Sequence, residues 1–418
     1  MIVENHLSAD TDFGPPSSDV DVVIIGAGLA GTLAAILLGR AGVSVALIDR
    51  AAVYPPDFRA EQLVGYQVEM LARLGLLEIV IGDTVPAERA VGIRAGRRLG
   101  VVTVPHYGIS YETMVNRARQ HLPQPVRFVS AKVTDIVPGP DRQRVVLANG
   151  EAVTGRLAVI ATGPGRQLLA RAGIGKTAGF GIQVLAFGFD LEVEAPAFFD
   201  RSVLVVQGER PADKIDYLTL FAIGDRIRGN LFTYHGSADP WTQCFRQDPR
   251  ETLRRAMPGI EDITGEILNA GPVEYRVIDL VGSTGHRRDG VVLIGDAFQI
   301  SSPAAGTGVS RLLSDIDLLC NVYVPDWLAT GGMGANKIGQ FYDDAAKQSS
   351  DAEALRLAGY RRAVTVETSL VWRAHRSRVA LQNKVRSQLA RLAGQRPAGQ
   401  AGMAAAWLGS GMAPPPLH

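Results

Sequence analysis

A glycine-rich turn between a predicted strand and a predicted helix constrains the fold of this 418-residue chain more than any other feature. The apolar run Val20–Ile25 predicts a buried strand, and Thr32–Ala41 predicts a helix. Between them the chain reads Gly26-Ala27-Gly28-Leu29-Ala30-Gly31. A second apolar run, Val43–Ile48, completes a βαβ unit. Such a unit implies a parallel sheet and an α/β fold.

The spacing of the three glycines is typical of dinucleotide binding. Gly26 permits a tight turn, Gly28 lets a pyrophosphate approach the backbone, and Gly31 lets helix and strand pack closely. The phosphates then meet free N–H groups at the helix N-terminus. Asp49 follows the second strand, where a carboxylate can accept a hydrogen bond from a ribose hydroxyl. A structural turn without a ligand is the alternative for this motif.

Two later segments place small or acidic residues directly after predicted strands. Leu157–Ile160 leads into Thr162-Gly163, where small side chains allow close backbone approach, although a plain strand and turn stays open. Gly290–Ile294 leads into Gly295-Asp296-Ala297. An aspartate there can bind sugar-alcohol hydroxyls such as those of ribitol.

A proline and two glycines follow that aspartate and precede a predicted helix, Val309–Cys320. Pro303, Gly306 and Gly308 lie in a stretch that offers backbone N–H groups and a helix N-terminus. Such groups stabilise negative charge on a reduced ring system. Arg59 lies at the start of a helix predicted over Gln62–Leu77 and can bind a pyrophosphate, although a solvated surface charge is the alternative.

The middle of the chain differs from its beginning in its pattern of residues. Residues 180–280 contain short β-branched and aromatic runs separated by polar turns, which predicts a mostly antiparallel sheet. Alternate residues of one of these strands share a face and, with Tyr217, are candidates for a substrate pocket, as is His235 at its end. An ordinary sheet face is the alternative for each of them. The strand candidates are Arg228, Asn230, Phe232 and Tyr234.

Composition excludes several classes of protein. The net charge of +1 gives no indication of a nucleic-acid or anionic-membrane partner, and no apolar run is long enough to span a bilayer. The first twenty residues lack the pattern of a signal peptide. Cys244 and Cys320 have no metal-ligand spacing, so we expect no metal and two reduced, buried thiols in a cytoplasmic protein.

Together these residues resemble the para-hydroxybenzoate hydroxylase-like family of single-component FAD-dependent monooxygenases. The glycine turn with Asp49 is similar to the family's first fingerprint, and Gly295–Asp315 is similar to its second FAD motif. Arg59 looks like the family's FAD-contacting arginine. The resemblance implies FAD contacts from Gly26, Gly28, Ala30, Gly31, Asp49, Arg50, Arg59, Val133, Thr162, Gly163, Asp296, Pro303, Gly306, Thr307, Gly308 and Val309.

The resemblance also implies an activity. A member of this family uses FAD, NADH or NADPH, and O2 to hydroxylate or epoxidise an aromatic or electron-rich small molecule through a flavin C4a-hydroperoxide. The backbone of Pro303, Gly306 and Thr307 is expected beside the flavin, and no acid–base residue is assigned. A homodimer is compatible with the resemblance.

The resemblance further implies a Rossmann-type FAD-binding domain with an inserted mixed or antiparallel substrate sheet and C-terminal helices. The expected boundaries are a flexible segment 1–19, FAD-binding segments 20–179 and 285–320, a substrate sheet 180–284, helices 321–395 and a flexible tail 396–418.

Three positions depart from the family pattern. Phe298-Gln299 replaces the usual Ala-His, Ser310 replaces an asparagine, and Thr162-Gly163-Pro164-Gly165 stands where the family has Asp-Gly, an element linked to NAD(P)H. Reduction by a partner reductase therefore stays open. A flavin halogenase or a reductase of the geranylgeranyl-reductase type is the alternative enzyme, although the Trp-x-Trp segment typical of halogenases is absent. A flavin-binding sensor is the alternative without catalysis.

Overall fold

The computed structural model describes residues 19–94 and 96–392. Apart from Asp19, the two segments predicted to be flexible, 1–19 and 396–418, lie outside the described residues. The strands are β1 (Asp19–Ile25), β2 (Val45–Asp49), β3 (Ala60–Val64), β4 (Ala87–Arg94), β5 (Arg97–Ser110), β6 (Val126–Ser130), β7 (Val133–Val137), β8 (Gln143–Leu147), β9 (Ala152–Ile160), β10 (Gly175–Lys176), β11 (Gln183–Val193), β12 (Ser202–Gln207), β13 (Ile215–Ile223), β14 (Arg226–Thr233), β15 (Ile267–Ala270), β16 (Glu274–Asp279), β17 (Ser283–Thr284) and β18 (Val291–Leu293).

The α-helices alternate with the strands in the first half of the chain and dominate its end. They are α1 (Leu29–Arg40), α2 (Tyr66–Arg73), α3 (Leu77–Ile81), α4 (Tyr111–Gln120), α5 (Gln167–Arg171), α6 (Pro240–Gln247), α7 (Pro249–Ala256), α8 (Glu261–Thr264), α9 (Gly308–Leu318), α10 (Val324–Ala329), α11 (Ala335–Asp343), α12 (Ala345–Val366) and α13 (Leu370–Leu392). None of the helices in the described part of the chain is long and apolar enough to cross a membrane.

The first sheet has seven strands and contains the predicted βαβ unit. Its order is β6-β2-β1-β9-β8-β7, with β18 also paired to β9. β6, β2, β1, β9 and β18 run parallel, whereas β8 and β7 form an antiparallel extension. Apolar side chains from one face of this sheet pack against α1, α4 and α9. The predicted α/β fold is therefore confirmed.

The second sheet has nine strands in the order β15-β11-β14-β13-β12-β4-β5-β3, with β16 also paired to β11. One face packs against α6, α7 and α8 through a cluster that includes Phe187, Phe245 and Leu253. The sheet curls strongly and brings β3 close to β14, where the Asn230 side chain donates a hydrogen bond (2.8 Å) to the carbonyl of Ala60. The curl turns the opposite face toward the first sheet.

Residues 60–110 contribute three strands to this second sheet, in a region where the sequence indicated a helix over Gln62–Leu77. That prediction is wrong at its beginning, because Ala60–Val64 pairs antiparallel with β5. Gly65, with φ +48°, ends the strand, and α2 begins only at Tyr66. The long-range pairing with β5 overrides the helical spacing of the apolar residues. The strand predicted over Val126–Val133 is likewise divided, into β6 and β7.

The two cysteines differ from the expectation in one respect. Both are free thiols, and Cys320 is buried as predicted. Cys244 lies on α6 and is exposed, so the prediction that it is buried is wrong.

Candidate functional site

A cavity of about 1290 Å³ lies between the two sheets. The turn after β1, the segment after β9 and the segment after β18 line one side of it. The curled face of the second sheet lines the other side through β3, β5, β13 and β14. Segments more than 250 residues apart in the chain therefore line one cavity.

The glycine turn has the geometry that its spacing predicts. Gly26 has φ +98°, and a Cβ there would lie 2.7 Å from the carbonyl oxygen of Ala161. A Cβ on Gly31 would overlap the carbonyl oxygen of Gly26, so only glycine lets α1 pack this closely. At Gly28 the one atom within 4 Å of such a Cβ is the Tyr111 hydroxyl, at 3.5 Å. Gly28 therefore faces open space at the N-terminus of α1.

Asp49 is fixed at the end of β2 beside this turn. Its carboxylate accepts hydrogen bonds from the backbone N–H groups of Ala27 (2.8 Å) and Ala51 (3.1 Å). Each oxygen keeps a lone pair for a sugar hydroxyl. Arg50 and Val133 line the same end of the cavity. These positions match the expected adenosine end of a dinucleotide site.

Arg59 belongs to an aromatic and acidic cluster that precedes β3. Its guanidinium donates hydrogen bonds to Asp57 (2.6 Å) and to the Tyr54 hydroxyl (2.7 Å). It also lies 3.8 Å from the centre of the Tyr111 ring. The Tyr111 hydroxyl in turn accepts a hydrogen bond (3.3 Å) from the backbone N–H of Leu29, in the first turn of α1. Arg59 thus lies close to the N-terminus of α1. It precedes the strand β3, and not the start of the helix that the sequence indicated over Gln62–Leu77.

The second motif forms two 3₁₀ turns over Gly295–Ala297 and Pro303–Ala305. Asp296 lines the cavity, is 40% exposed, and accepts one hydrogen bond (3.3 Å) from the backbone N–H of Ser301. Gly306 takes φ +65°, which reverses the chain so that α9 starts at Gly308 beside the cavity. This arrangement leaves the Asp296 carboxylate free to accept further hydrogen bonds.

Two threonine hydroxyls near the cavity lack hydrogen-bond partners in the described structure. They belong to Thr162, after β9, and to Thr307, before α9. Thr162 and Gly163 line the cavity, whereas Thr307 does not. Buried hydroxyls are normally paired, so a bound group is the simplest partner for the Thr162 hydroxyl.

A buried network of charged side chains holds the second motif, Gly295–Gly308, in place. Arg311 on α9 is 1% exposed and donates hydrogen bonds to the Ser301 hydroxyl (2.9 Å), the Gln299 carbonyl and Asp351 (3.1 Å). Lys347 on α12 pairs with Asp351 (2.6 Å) and with Asp315 (3.1 Å). Asp315 also accepts a hydrogen bond (2.9 Å) from the backbone N–H of Gly295. The network therefore joins the motif to α9 and α12.

Phe298 and Gln299, which replace the family's usual Ala-His, pack against the C-terminal helices. Phe298 stacks on Tyr342 of α11 at 5.1 Å between ring centres, and the Lys347 ammonium lies 4.1 Å from the Phe298 ring centre. The Gln299 side chain donates a hydrogen bond (3.1 Å) to the carbonyl of Asp351. A phenylalanine at this position thus couples the second motif to α11 and α12.

The sequence-predicted substrate residues divide into two groups. Tyr217, Asn230 and Phe232 line the cavity. Arg228 instead pairs with Asp190 (3.0 Å) and donates to the carbonyl of Phe58. The Tyr234 hydroxyl donates to the Asp216 carboxylate (3.1 Å).

Arg228, Tyr234 and His235 have structural partners and do not line the cavity. Asp216 forms a buried ion pair with Arg361 of α12, so Tyr234 belongs to the contact between the sheet and that helix. His235 hydrogen bonds to Asp239 (3.0 Å) and to the Asp213 carbonyl (2.8 Å).

Three polar residues of β3 and β5 line the cavity and were missed in the sequence. Gln62 hydrogen bonds to Nδ1 of His106 (2.8 Å), whose Nε2 is buried without a partner in the described structure. Burial lowers the pKa of His106 to about 4, so its ring is neutral. Burial raises the pKa of Glu61 to about 7. Because β3 was not predicted, no pattern in the sequence placed these residues at the cavity. The one available signal was that Glu61 lies two residues after Arg59, which was a candidate for FAD binding.

The cavity fits FAD in the chemistry of its lining. It offers a helix N-terminus over Gly28 for the pyrophosphate, Asp49 for a ribose and Asp296 for ribitol. The unpaired Thr162 hydroxyl lies along the same wall. The face of the second sheet then bounds the space left beside the 3₁₀ turn at Pro303.

Comparison with known proteins agrees with this assignment. Residues 19–159 match the family described as FAD binding domain. No curated protein sequence matches the chain.

Among similar solved structures, p-nitrophenol 4-monooxygenase PnpA from Pseudomonas putida DLL-E4 has a TM-score of 0.67 at 16% identity, over 87% of this chain and 93% of that one. HpxO from Klebsiella pneumoniae, as a variant complexed with FAD, has a TM-score of 0.64 at 16% identity, over 89% and 98%. The flavin-dependent brominase Bmp2 has a TM-score of 0.62 at 18% identity, over 90% and 93%.

Proposed function

We propose that this chain, a FAD-dependent oxidoreductase with the fold of the para-hydroxybenzoate hydroxylase-like flavoproteins, is a monooxygenase acting on an aromatic or otherwise electron-rich small molecule. In the proposed reaction NAD(P)H, a proton and O2 are consumed. One oxygen atom enters the substrate and the other leaves as water. NADH and NADPH are equally compatible with the proposal.

The observation that carries this proposal is the continuity of the cavity. The FAD-binding turns and the curled sheet line one space of about 1290 Å³, without a wall between them. An apolar lining is suited to an aromatic ring, and Ala90, Val102, Val205 and Phe232 supply one on the sheet side. A flavin held by the first side would therefore lie against a substrate held by the second.

Bound FAD supplies the redox chemistry, by accepting hydride and activating O2. The protein binds and orients the reactants. The N-terminus of α1 and Asp49 hold the adenosine diphosphate half, and Asp296 holds ribitol. The backbone N–H groups in the first turn of α9, which begins at Gly308 and lines the cavity there, stabilise negative charge on the flavin ring. The curled sheet excludes water from the substrate.

Halogenation is a second candidate, because the fold is also similar to that of a brominase. For a halogenase of this fold, the resemblance implies a catalytic lysine in addition to the Trp-x-Trp segment. Lys132 is the one lysine in the lining formed by the described residues, and it lies beside Val133 at the expected adenosine end. Lys132 belongs to the expected adenosine end and not to the segment around Pro303, so the lining favours the monooxygenase.

The proposal is tested by anaerobic reduction of the FAD-loaded protein. We expect NADH or NADPH to bleach the flavin absorbance, faster when an aromatic ligand is present, and air to restore the absorbance with formation of oxygenated product. If bleaching requires an added reductase protein, the monooxygenase assignment still holds, but the proposal that this chain takes hydride directly from NAD(P)H is wrong. Flavin reoxidation that never yields oxygenated product, over a panel of phenols and anilines, would contradict the proposal.

A further inference from the structure

The positive charge of the chain is concentrated in residues 368–418. Seven of the 43 basic residues and none of the 42 acidic residues lie there, so this segment has a formal charge of +7 and residues 1–367 have −6. The whole-chain charge of +1 hides this asymmetry. A basic segment on an acidic body is typical of proteins that bind an anionic surface. The seven residues are Arg373, Arg376, Arg378, Lys384, Arg386, Arg391 and Arg396.

The helix α13 contains six of these residues, and one side of it is anchored on α12. Trp372 is buried, and its ring centre lies 6.0 Å from that of Tyr360 on α12. The Tyr360 hydroxyl lies 3.1 Å from Nε2 of His375, and the Arg376 guanidinium donates a hydrogen bond (3.2 Å) to the carbonyl of Val364. Because these contacts fix the rotation of α13 about its axis, the opposite side of its first turns faces solvent.

The side of α13 that faces solvent carries large aliphatic side chains. Leu370, Val371 and Leu381 are 77%, 58% and 62% exposed. Ala374 and Arg378, also exposed, lie between them at helical spacing, so these five residues form one face, the outer face of α13. A surface helix normally turns its apolar residues toward the core. An apolar outer face is therefore a candidate for contact with another surface.

The cations at this face have no acidic partners. Arg373, at the edge of the outer face, and Arg378 are exposed and form no ion pair with any of the described residues. Burial, and then the like charges of Arg94 on β4 and of Arg373, lower the pKa of the Arg376 guanidinium, against a smaller opposite effect of Glu367. The cations therefore repel one another, and an anionic partner would relieve this repulsion.

From the apolar outer face and its unpaired cations we propose that α13 docks on the surface of an anionic lipid bilayer. A helix of this kind lies in the plane of the interface, with its aliphatic side chains among the acyl chains and its arginines beside the lipid phosphates. The contact is at the surface, and no helix in the described part of the chain could span the bilayer. The inference is independent of the proposed function.

Two observations favour a bilayer over other anionic partners. Nucleic acid would neutralise the arginines but would leave Leu370, Val371 and Leu381 in water. The sequence after Arg396 contains no Asp, Glu, Lys or Arg and includes Trp407, a residue type that is enriched where membrane meets water. An acidic protein, which could also neutralise the arginines, is tested separately below.

The first test is cosedimentation of the purified protein with lipid vesicles. Vesicles of phosphatidylcholine and phosphatidylglycerol in equal parts are compared with vesicles of phosphatidylcholine alone, at low and at high salt. We expect binding to the anionic vesicles that falls as salt rises, and little binding to the neutral ones. The double variant Arg373→Gln/Arg378→Gln should weaken binding by about 25-fold, roughly fivefold for each charge removed.

The matched control is Arg144→Gln/Arg255→Gln, which removes the same charge from exposed positions on β8 and α7 and should bind as the parent does. A thermal melt checks that both double variants are folded. Absence of binding to the anionic vesicles by the parent, or equal binding by the parent and Arg373→Gln/Arg378→Gln, would overturn the inference.

The second test separates a bilayer from other anionic partners. Leu370→Ser/Leu381→Ser keeps every charge and should weaken vesicle binding by about tenfold or more, because two aliphatic side chains no longer enter the bilayer. Poly-L-glutamate represents an acidic protein, and duplex DNA represents nucleic acid. Unchanged vesicle binding by the serine variant, or tighter binding of the parent to either polyanion than to anionic vesicles at the same salt, would show that the inference is wrong. So would a dimer in solution that the serine variant abolishes.

Discussion

At the scale of single residues, the glycines of the first turn are required for different physical reasons. A side chain on Gly31 would collide with the backbone of Gly26, so Gly31 is needed for the protein to fold. A side chain on Gly28 would meet only the Tyr111 hydroxyl within 4 Å, and Gly28 has an ordinary φ of −71°. Folding therefore does not require a glycine at position 28, and we propose that Gly28 serves ligand binding.

The first prediction follows from this difference. The Gly28→Val variant should fold with a melting temperature close to that of the parent but lose FAD, because the branched side chain fills the space for the pyrophosphate. A flavin titration and a thermal melt of the apoprotein measure the two effects separately. Gly236→Val, an exposed glycine outside the cavity lining, is the control. Unchanged FAD affinity of Gly28→Val would show that the pyrophosphate lies elsewhere.

The second prediction concerns Asp296, whose carboxylate faces the cavity. Asp296→Ala should weaken FAD binding by about 10–100-fold and slow turnover, because a charge-assisted hydrogen bond contributes roughly 1.5–3 kcal/mol. Asp225→Ala, in the exposed turn between β13 and β14, should leave both quantities unchanged. Parent-like values for Asp296→Ala in both measurements would remove the assignment of Asp296 to ribitol.

At the scale of elements, α9 and α12 hold the second motif through buried charges. Arg311→Met should reduce the free energy of unfolding by about 3–5 kcal/mol, because the change leaves Asp315 and Asp351 with fewer partners in a buried site. Arg73→Met, which breaks an exposed ion pair with Asp317, should cost at most about 1 kcal/mol. Chemical denaturation of the apoprotein measures both variants, and equal small losses would contradict the structural role of this network.

The elements also show how far the sequence alone predicts the structure. Short-range patterns predicted β1, α1 and β2, since the hydrophobic runs and glycine spacing there are local. β3 was missed because its pairing partner, β5, lies more than 40 residues away, and pairing of that kind leaves no local pattern. The same failure hid Glu61 and His106, which reach the cavity only because β3 and β5 join the second sheet.

The substrate wall shows a related limit. Alternation along β14 correctly grouped Asn230 with Phe232 on the cavity face. It could not show that Arg228 forms an ion pair with Asp190, or that the Tyr234 hydroxyl donates a hydrogen bond to Asp216 beside α12. Those partners come from distant segments of the chain. The alternation of residues along a strand therefore identifies which side chains share a face, but not which of them remain available to a ligand.

At the scale of the whole molecule, two sheets border one cavity. The residues proposed to bind FAD come from the first sheet and the segments after it, and the proposed substrate wall comes from the second. Neither sheet alone would bring a flavin and an aromatic ring together.

The central claim is that one atom of O2 enters the product. Turnover under 18O2, with the product analysed by mass spectrometry, tests it most directly. We predict a product heavier by one labelled oxygen atom, and no product when O2 is removed. Unlabelled product, or turnover that continues without O2, would contradict the monooxygenase assignment and leave the protein as a flavoenzyme of another reaction class.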